Sequence, residues 1–218
     1  MKTLLLTIFI TLNWGCTNSN FEESMKTKEI TTMIKNNDIL GIQNAIEKGL
    51  DINLKNSENE SLLLIATQNK RIEIAKLLVN KGADVNAQAN NLDTPFLLSG
   101  ATGQTELVKL FLENGARFDL FNRYNGTALI PACERGHVET VLVLATTKNF
   151  PINHVNKLGW TALMEAVVLG DGSEKYQEII KILLENNADK NISDFNGISA
   201  LEHAINKKQH KIAALLSN

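Results

Sequence analysis

Cysteine is nearly missing from this chain: 218 residues hold only Cys16 and Cys133, too few for a disulfide framework, so stability must come from packing. Aromatic residues make up 6 % and proline occurs three times. Neither sign of charge dominates, since 22 basic against 24 acidic residues leave a net charge of −2. That balance excludes the concentrated Lys/Arg surface that nucleic-acid binding requires. Also absent are a glycine-rich phosphate loop, an H-E-x-x-H pair, a C-x-x-C pair and a G-x-S-x-G elbow, so the usual signatures of nucleotide, zinc, redox and hydrolase chemistry are lacking. What remains is an ordinary soluble composition, 44 % apolar, long enough for one domain.

The N-terminus carries an address. Lys2 is followed by an apolar run from Leu4 to Leu12, then by Trp14, Gly15 and Cys16. The run is shorter than the roughly 20 residues a membrane span takes and matches the h-region of a signal peptide. It resembles a bacterial lipoprotein signal, in which a small residue precedes the cysteine that takes the lipid; Gly15 fits, whereas Asn13 and Trp14 depart from the pattern and the expected leucine stands one place early at Leu12. The resemblance implies lipidation at Cys16 and a place in a bacterial cell envelope, anchored to a membrane; a secreted or a cytoplasmic protein are the alternatives. Residues 17–26 are almost all polar and read as a flexible tether after a 1–16 signal peptide.

Beyond residue 26 the chain repeats itself. A Ser or Thr at positions 61, 94, 127, 161 and 199 is followed five places on by Ala66, Ser99, Ala132, Ala166 and Ala204. A second signature, "KGLDIN", "KGADVN", "NGARFD", "NNADKN", recurs in the same phase, so the period is about 33 residues. A Ser or Thr can cap a helix, Pro95 at a first helical position loses no bond, and a segment such as "IEIAKLLVNKG" has helical apolar spacing and a glycine stop.

Thr94-Pro95-Phe96 and Gly82-Ala83-Asp84-Val85-Asn86 give the clearest likeness: the chain resembles the ankyrin-repeat family. The resemblance implies an all-α repeat fold, a solenoid of helix-turn-helix units with short β-hairpin-like loops, over residues 27–218. Six units are expected, near 27–56, 57–89, 90–122, 123–156, 157–194 and 195–218. The histidine of the family's T-P-L-H element is replaced by Leu64, Leu97, Ile130, Met164 and Glu202. Pro131 inside a first helix should cost a backbone bond. The fourth unit lacks the glycine stop, with Lys148-Asn149-Phe150-Pro151 in its place, and the fifth carries about five extra residues around "GDGSEKYQ", expected to lengthen the connection between its helices. These departures cluster between residues 123 and 176.

Catalytic constellations are sparse. Cys133 and His137 stand four apart and would suit a thiolate–imidazole pair, the basis of an alternative thiol-dependent enzyme, but a small packing position and a family G-H element account for both. His203 and His210 lack further ligands at fitting spacing, so neither a metal nor a cofactor is expected. The resemblance implies instead a monomeric, non-enzymatic module that binds another protein through its concave face of hairpin tips and first-helix ends. Candidate contact residues there are Arg123, Tyr124, Glu134, Arg135, Leu158, Trp160 and Phe195, with Trp160 expected at a position the fold leaves free.

Overall fold

The computed structural model describes residues 26–217, so the signal segment, Cys16 and all but the last residue of the tether lie outside the described residues. Lys26 already belongs to the first helix, α1, over 26–35. The following helices are α2 (Ile39–Glu47), α3 (Leu62–Gln68), α4 (Ile72–Asn80), α5 (Pro95–Ala101), α6 (Thr105–Glu113), α7 (Leu129–Glu134), α8 (Val138–Thr146), α9 (Ala162–Val168), α10 (Glu174–Glu185), α11 (Ala200–Asn206) and α12 (His210–Ser217). Each unit is a helix pair, and pairs stack in sequence order: α3, α5, α7, α9 and α11 form one row, α2 through α12 by even numbers the other. Between them runs one apolar seam, from Ile30 and Ile34 through Leu78, Phe111, Leu144 and Leu183 to Leu216. A lone pair could not bury its stripe, whereas the stack does so on both sides.

Hydroxyl caps set where the first helices begin. Ser61, Thr94, Thr161 and Ser199 each accept the N–H three residues on, at 3.1 to 3.3 Å. Ser199 completes a capping box with Glu202. The exception is α7. In the other units the residue four beyond the cap donates the first helical N–H, as Ile65 does to Ser61 and Leu98 to Thr94. Pro131 occupies that place and has no N–H, and α7 begins one residue late, at Leu129.

Second helices stop where the backbone turns left-handed. Gly49, Gly82 and Gly115 take φ of +86°, +88° and +82°. The fourth unit does have a stop after all: Asn149 takes φ +62°, and Asn187 does the same at +67° in the fifth. Asparagine is the next best residue for that region, so a glycine search alone misses it. The extra residues of the fifth unit also divide differently from expectation. Two lengthen the connection 169–173 and three lengthen α10, which has 12 residues where α8 has 9. Tyr176, 6 % exposed, fills the wider corner and donates its hydroxyl to the Glu134 carbonyl at 2.8 Å. Gly170 is required beneath it, because a Cβ there would stand 2.1 Å from the Ala166 carbonyl and 2.7 Å from the Tyr176 ring.

The hairpins are loops; isolated bridges occur at Lys55–Ser61 and Ser193–Ser199. Their shape comes from an Asx turn. Asn56, Asn122, Asn156 and Asp194 each accept two backbone N–H groups of their own tip through Oδ1. Farther back, the Asn that ends the second signature staples consecutive units: Oδ1 of Asn53, Asn86 and Asn153 accepts the N–H of Asp84, Arg117 and Asp189, at 2.8 to 2.9 Å. At the seam between the third and fourth units both halves of that staple are missing. Asp119 stands where the Asn belongs and pairs with Arg117, while Pro151 stands where the donor belongs and has none. Phe118 and Phe150 meet there instead, with ring centroids 5.0 Å apart.

A cleft across the third, fourth and fifth units

The row of first helices and hairpin tips is broken by a cleft of about 460 Å³. With each unit taken from the Asx position that opens its tip, the walls come from three successive units: Asp93, Leu98 and Ala101 from the third; Asn122, Arg123, Tyr124, Pro131, Glu134 and Arg135 from the fourth; Asn156, Leu158, Glu165 and Leu169 from the fifth. The Asx turns hold Tyr124 and Leu158 at the tips, where they are 54 % and 53 % exposed. Leu169 at the end of α9 is 48 % exposed and completes an apolar rim.

Charges of both signs line the interior. Arg123 places its guanidinium 4.8 Å from the centre of the Tyr124 ring, a cation–π contact. Arg135 donates from Nη1 to the Ala101 carbonyl at 2.5 Å, tying the end of α7 to the end of α5. Asp93 is half-buried, and burial raises its carboxyl pKa while the positive charges of Arg123 and Arg135 pull it back. Glu165 is the deepest acid, 4 % exposed. Its Oε1 accepts from Asn156 Nδ2 at 2.8 Å, and its Oε2 has no partner among the described residues. Burial pushes the Glu165 carboxyl up to about 7; the negative charge of Glu134 adds to that, and the Asn156 bond opposes it.

Five of the seven residues expected at a binding surface thus come together here: Arg123, Tyr124, Glu134, Arg135 and Leu158. The other two do not line the cleft. Trp160 is half-buried and packs against the core. It directly precedes the cap Thr161, the place from which an apolar side chain staples back onto its helix. The equivalent Glu60, Asp93 and Ile198 are half-buried too, so this row is not free in the fold. Phe195 is 76 % exposed, but its ring lies over Gly159 of the preceding hairpin, 2.9 Å from where a Cβ would stand.

Glu165, Asn156 and Asp93 were not singled out from the sequence. A signal for Glu165 existed: the other copies of its position carry Ile65, Leu98, Pro131 and His203, so it is the one acid in that row.

The other candidate chemistry separates in space. Cys133 is buried, its thiol pushed well up by burial and by the charge of Glu165. His137 turns to the preceding unit, its ring against Gly103, and shares no hydrogen bond with Cys133 among the described residues. His203 is engaged by Asp194, Nε2 to Oδ2 at 2.9 Å. No group of three or more His, Cys, Asp or Glu is placed to hold a metal, and no helix is long and apolar enough to cross a membrane, among the described residues.

Comparison with known proteins agrees with this architecture. The family model for ankyrin repeats (three copies) matches residues 30–122, 96–194 and 151–218. An ankyrin repeat protein of Escherichia coli K12, YahD, is 42 % identical over 94 residues, which is 43 % of this chain and 47 % of that protein, so the match spans about half the length of this relative. A crystal structure of an ankyrin repeat domain from Acinetobacter baumannii AYE superposes with a TM-score of 0.83 at 41 % identity, covering 87 % of this chain and 96 % of the other. A second solved ankyrin repeat protein gives 0.83 at 36 % identity over the same shares.

Proposed function

The chain belongs to the ankyrin-repeat family, and from that premise we propose that it is a non-enzymatic module that docks another protein in the cleft of its third to fifth units. The observation that carries this reading is the cleft itself: exposed Tyr124, Leu158 and Leu169 around an interior of arginines and carboxylates. Aromatic and Arg side chains framed by apolar contacts are the composition of binding hot spots. The stacked units hold these groups before a partner arrives, so little conformational entropy is lost on docking. Whether the docked protein is scaffolded or inhibited follows from the partner.

The reading places the module at a membrane surface of a bacterial envelope, held through a lipid on Cys16 and a short tether. Labelling cells with a fatty acid, in parallel with a Cys16→Ala chain, tests the anchor; equal labelling of the two would discard it. Docking is tested by cross-linked pull-down from the source cells. Because both side chains are exposed, Tyr124→Ala and Leu158→Ala are expected to abolish partner recovery with a thermal midpoint shifted by no more than about 2 °C. Undiminished recovery with both would move the interface elsewhere.

A further inference from the structure

The floor of the cleft holds an acid that the fold leaves incomplete. Glu165 is buried with Oε2 unpartnered, and Asn156 satisfies Oε1 alone. The sixth unit shows the same pair of positions completed: His203 stands where Glu165 does, Asp194 where Asn156 does, and the two bond directly. In the fifth unit the roles are exchanged, and the amide has too few donors in reach for both carboxylate oxygens. A buried acceptor without a donor is costly, and more so when it carries charge, so such groups in native proteins call for an explanation.

The cations nearby do not supply one. Arg123 and Arg135 act on Asp93, and Arg135 is further held by the Ala101 carbonyl. The charge of Glu134, which is of the same sign, adds to the burial of Glu165. Among the described residues neither Glu165 nor Glu134 is in an ion pair, and both lie in a cleft large enough to take a side chain.

We propose that the cleft is a subsite for a lysine or arginine side chain presented by an extended segment of the partner protein, with its charged end at Glu165 and Glu134 and its methylene stem along Leu98, Pro131 and Leu158. This rests on the docking reading above and deepens it by naming the partner's chemistry. Electrostatic complementarity selects the occupant: an acidic or purely apolar side chain would leave both carboxylates desolvated without compensation.

The test uses the whole chain and sets of short immobilised peptides whose central residue is arginine, lysine, norleucine or glutamate, with randomised flanks. Retention by the arginine or lysine sets is expected to exceed that by the norleucine and glutamate sets by at least about tenfold. Glu165→Gln keeps the Asn156 bond and loses the charge; it should erase that preference with its thermal midpoint at or above that of the parent. Equal retention of norleucine peptides, a preference that survives Glu165→Gln, or no retention of any set overturns the subsite. Norleucine binding that Leu158→Ala removes would overturn the subsite yet leave the docking cleft standing, and the pull-down above decides the cleft separately.

Discussion

At Glu165 a carboxyl group occupies a helix position where other units place Ile65, Leu98, Pro131 and His203. Its pKa of about 7, raised by burial, means that the folded chain keeps a proton which the unfolded chain gives up near the ordinary glutamate range. The contribution to stability is complete below that range, declines as pH rises through it, and is gone above about 7. Between about pH 5 and pH 8 the unfolding free energy of the parent is expected to fall relative to Glu165→Gln by about 1–2 kcal/mol, less than the full shift because the cleft admits solvent. Urea titrations at both pH values check this, and parallel behaviour of the two chains would refute the buried acid. Trp160 obeys a different constraint. Packed against the core one residue before its cap, it is expected to destabilise by about 1–3 kcal/mol on truncation to Ala, read from the denaturant midpoint. A large aromatic beside a turn glycine looks like a free contact in a sequence; only the geometry of helix entry turns it inward. Tyr124 and Leu158, two residues into their Asx turns, do stay outside, so their exposure was legible in the sequence and the inward turn of Trp160 was not.

Among the elements, the seam between the third and fourth units stands apart from those on either side of it, for it has neither the asparagine acceptor nor the backbone donor that join the first to the second, the second to the third and the fourth to the fifth. Asp119 and Pro151 depart from the repeat together: Pro151 has no N–H to donate, and both Asp119 carboxylate oxygens are taken by Arg117. In a double-mutant cycle, Asp119→Asn and Pro151→Asp are expected to couple favourably by about 1 kcal/mol, the net worth of the recovered hydrogen bond. The cycle cancels the loss of the proline's restriction on the unfolded chain, which acts in Pro151→Asp alone. Additive effects in thermal or urea unfolding would show that no staple forms. Element starts were legible from their Ser and Thr caps; Pro131 was legible as a lost backbone bond, but not as a delay in the start of α7. Element ends were less so, because a stop depends on backbone conformation, and Asn149 supplies the left-handed residue as well as glycine does.

For the whole molecule, a period of about 33 residues showed a repeat, the ankyrin-like motifs implied helix pairs, and stacking followed because each apolar stripe has nothing else to bury against. The cleft was legible only in part. Its exposed tips repeat on the same period and could be read one unit at a time, but its depth arises from three units meeting, and no single repeat records what faces Glu165. The cleft also straddles the unstapled seam, with Asp93, Leu98 and Ala101 on one side of it and the remaining wall on the other. An occupant gripping both sides would therefore act as a rivet across a joint that lacks the hydrogen-bonded staple, and the protein's resistance to being pulled from its ends would become a measure of whether anything is bound.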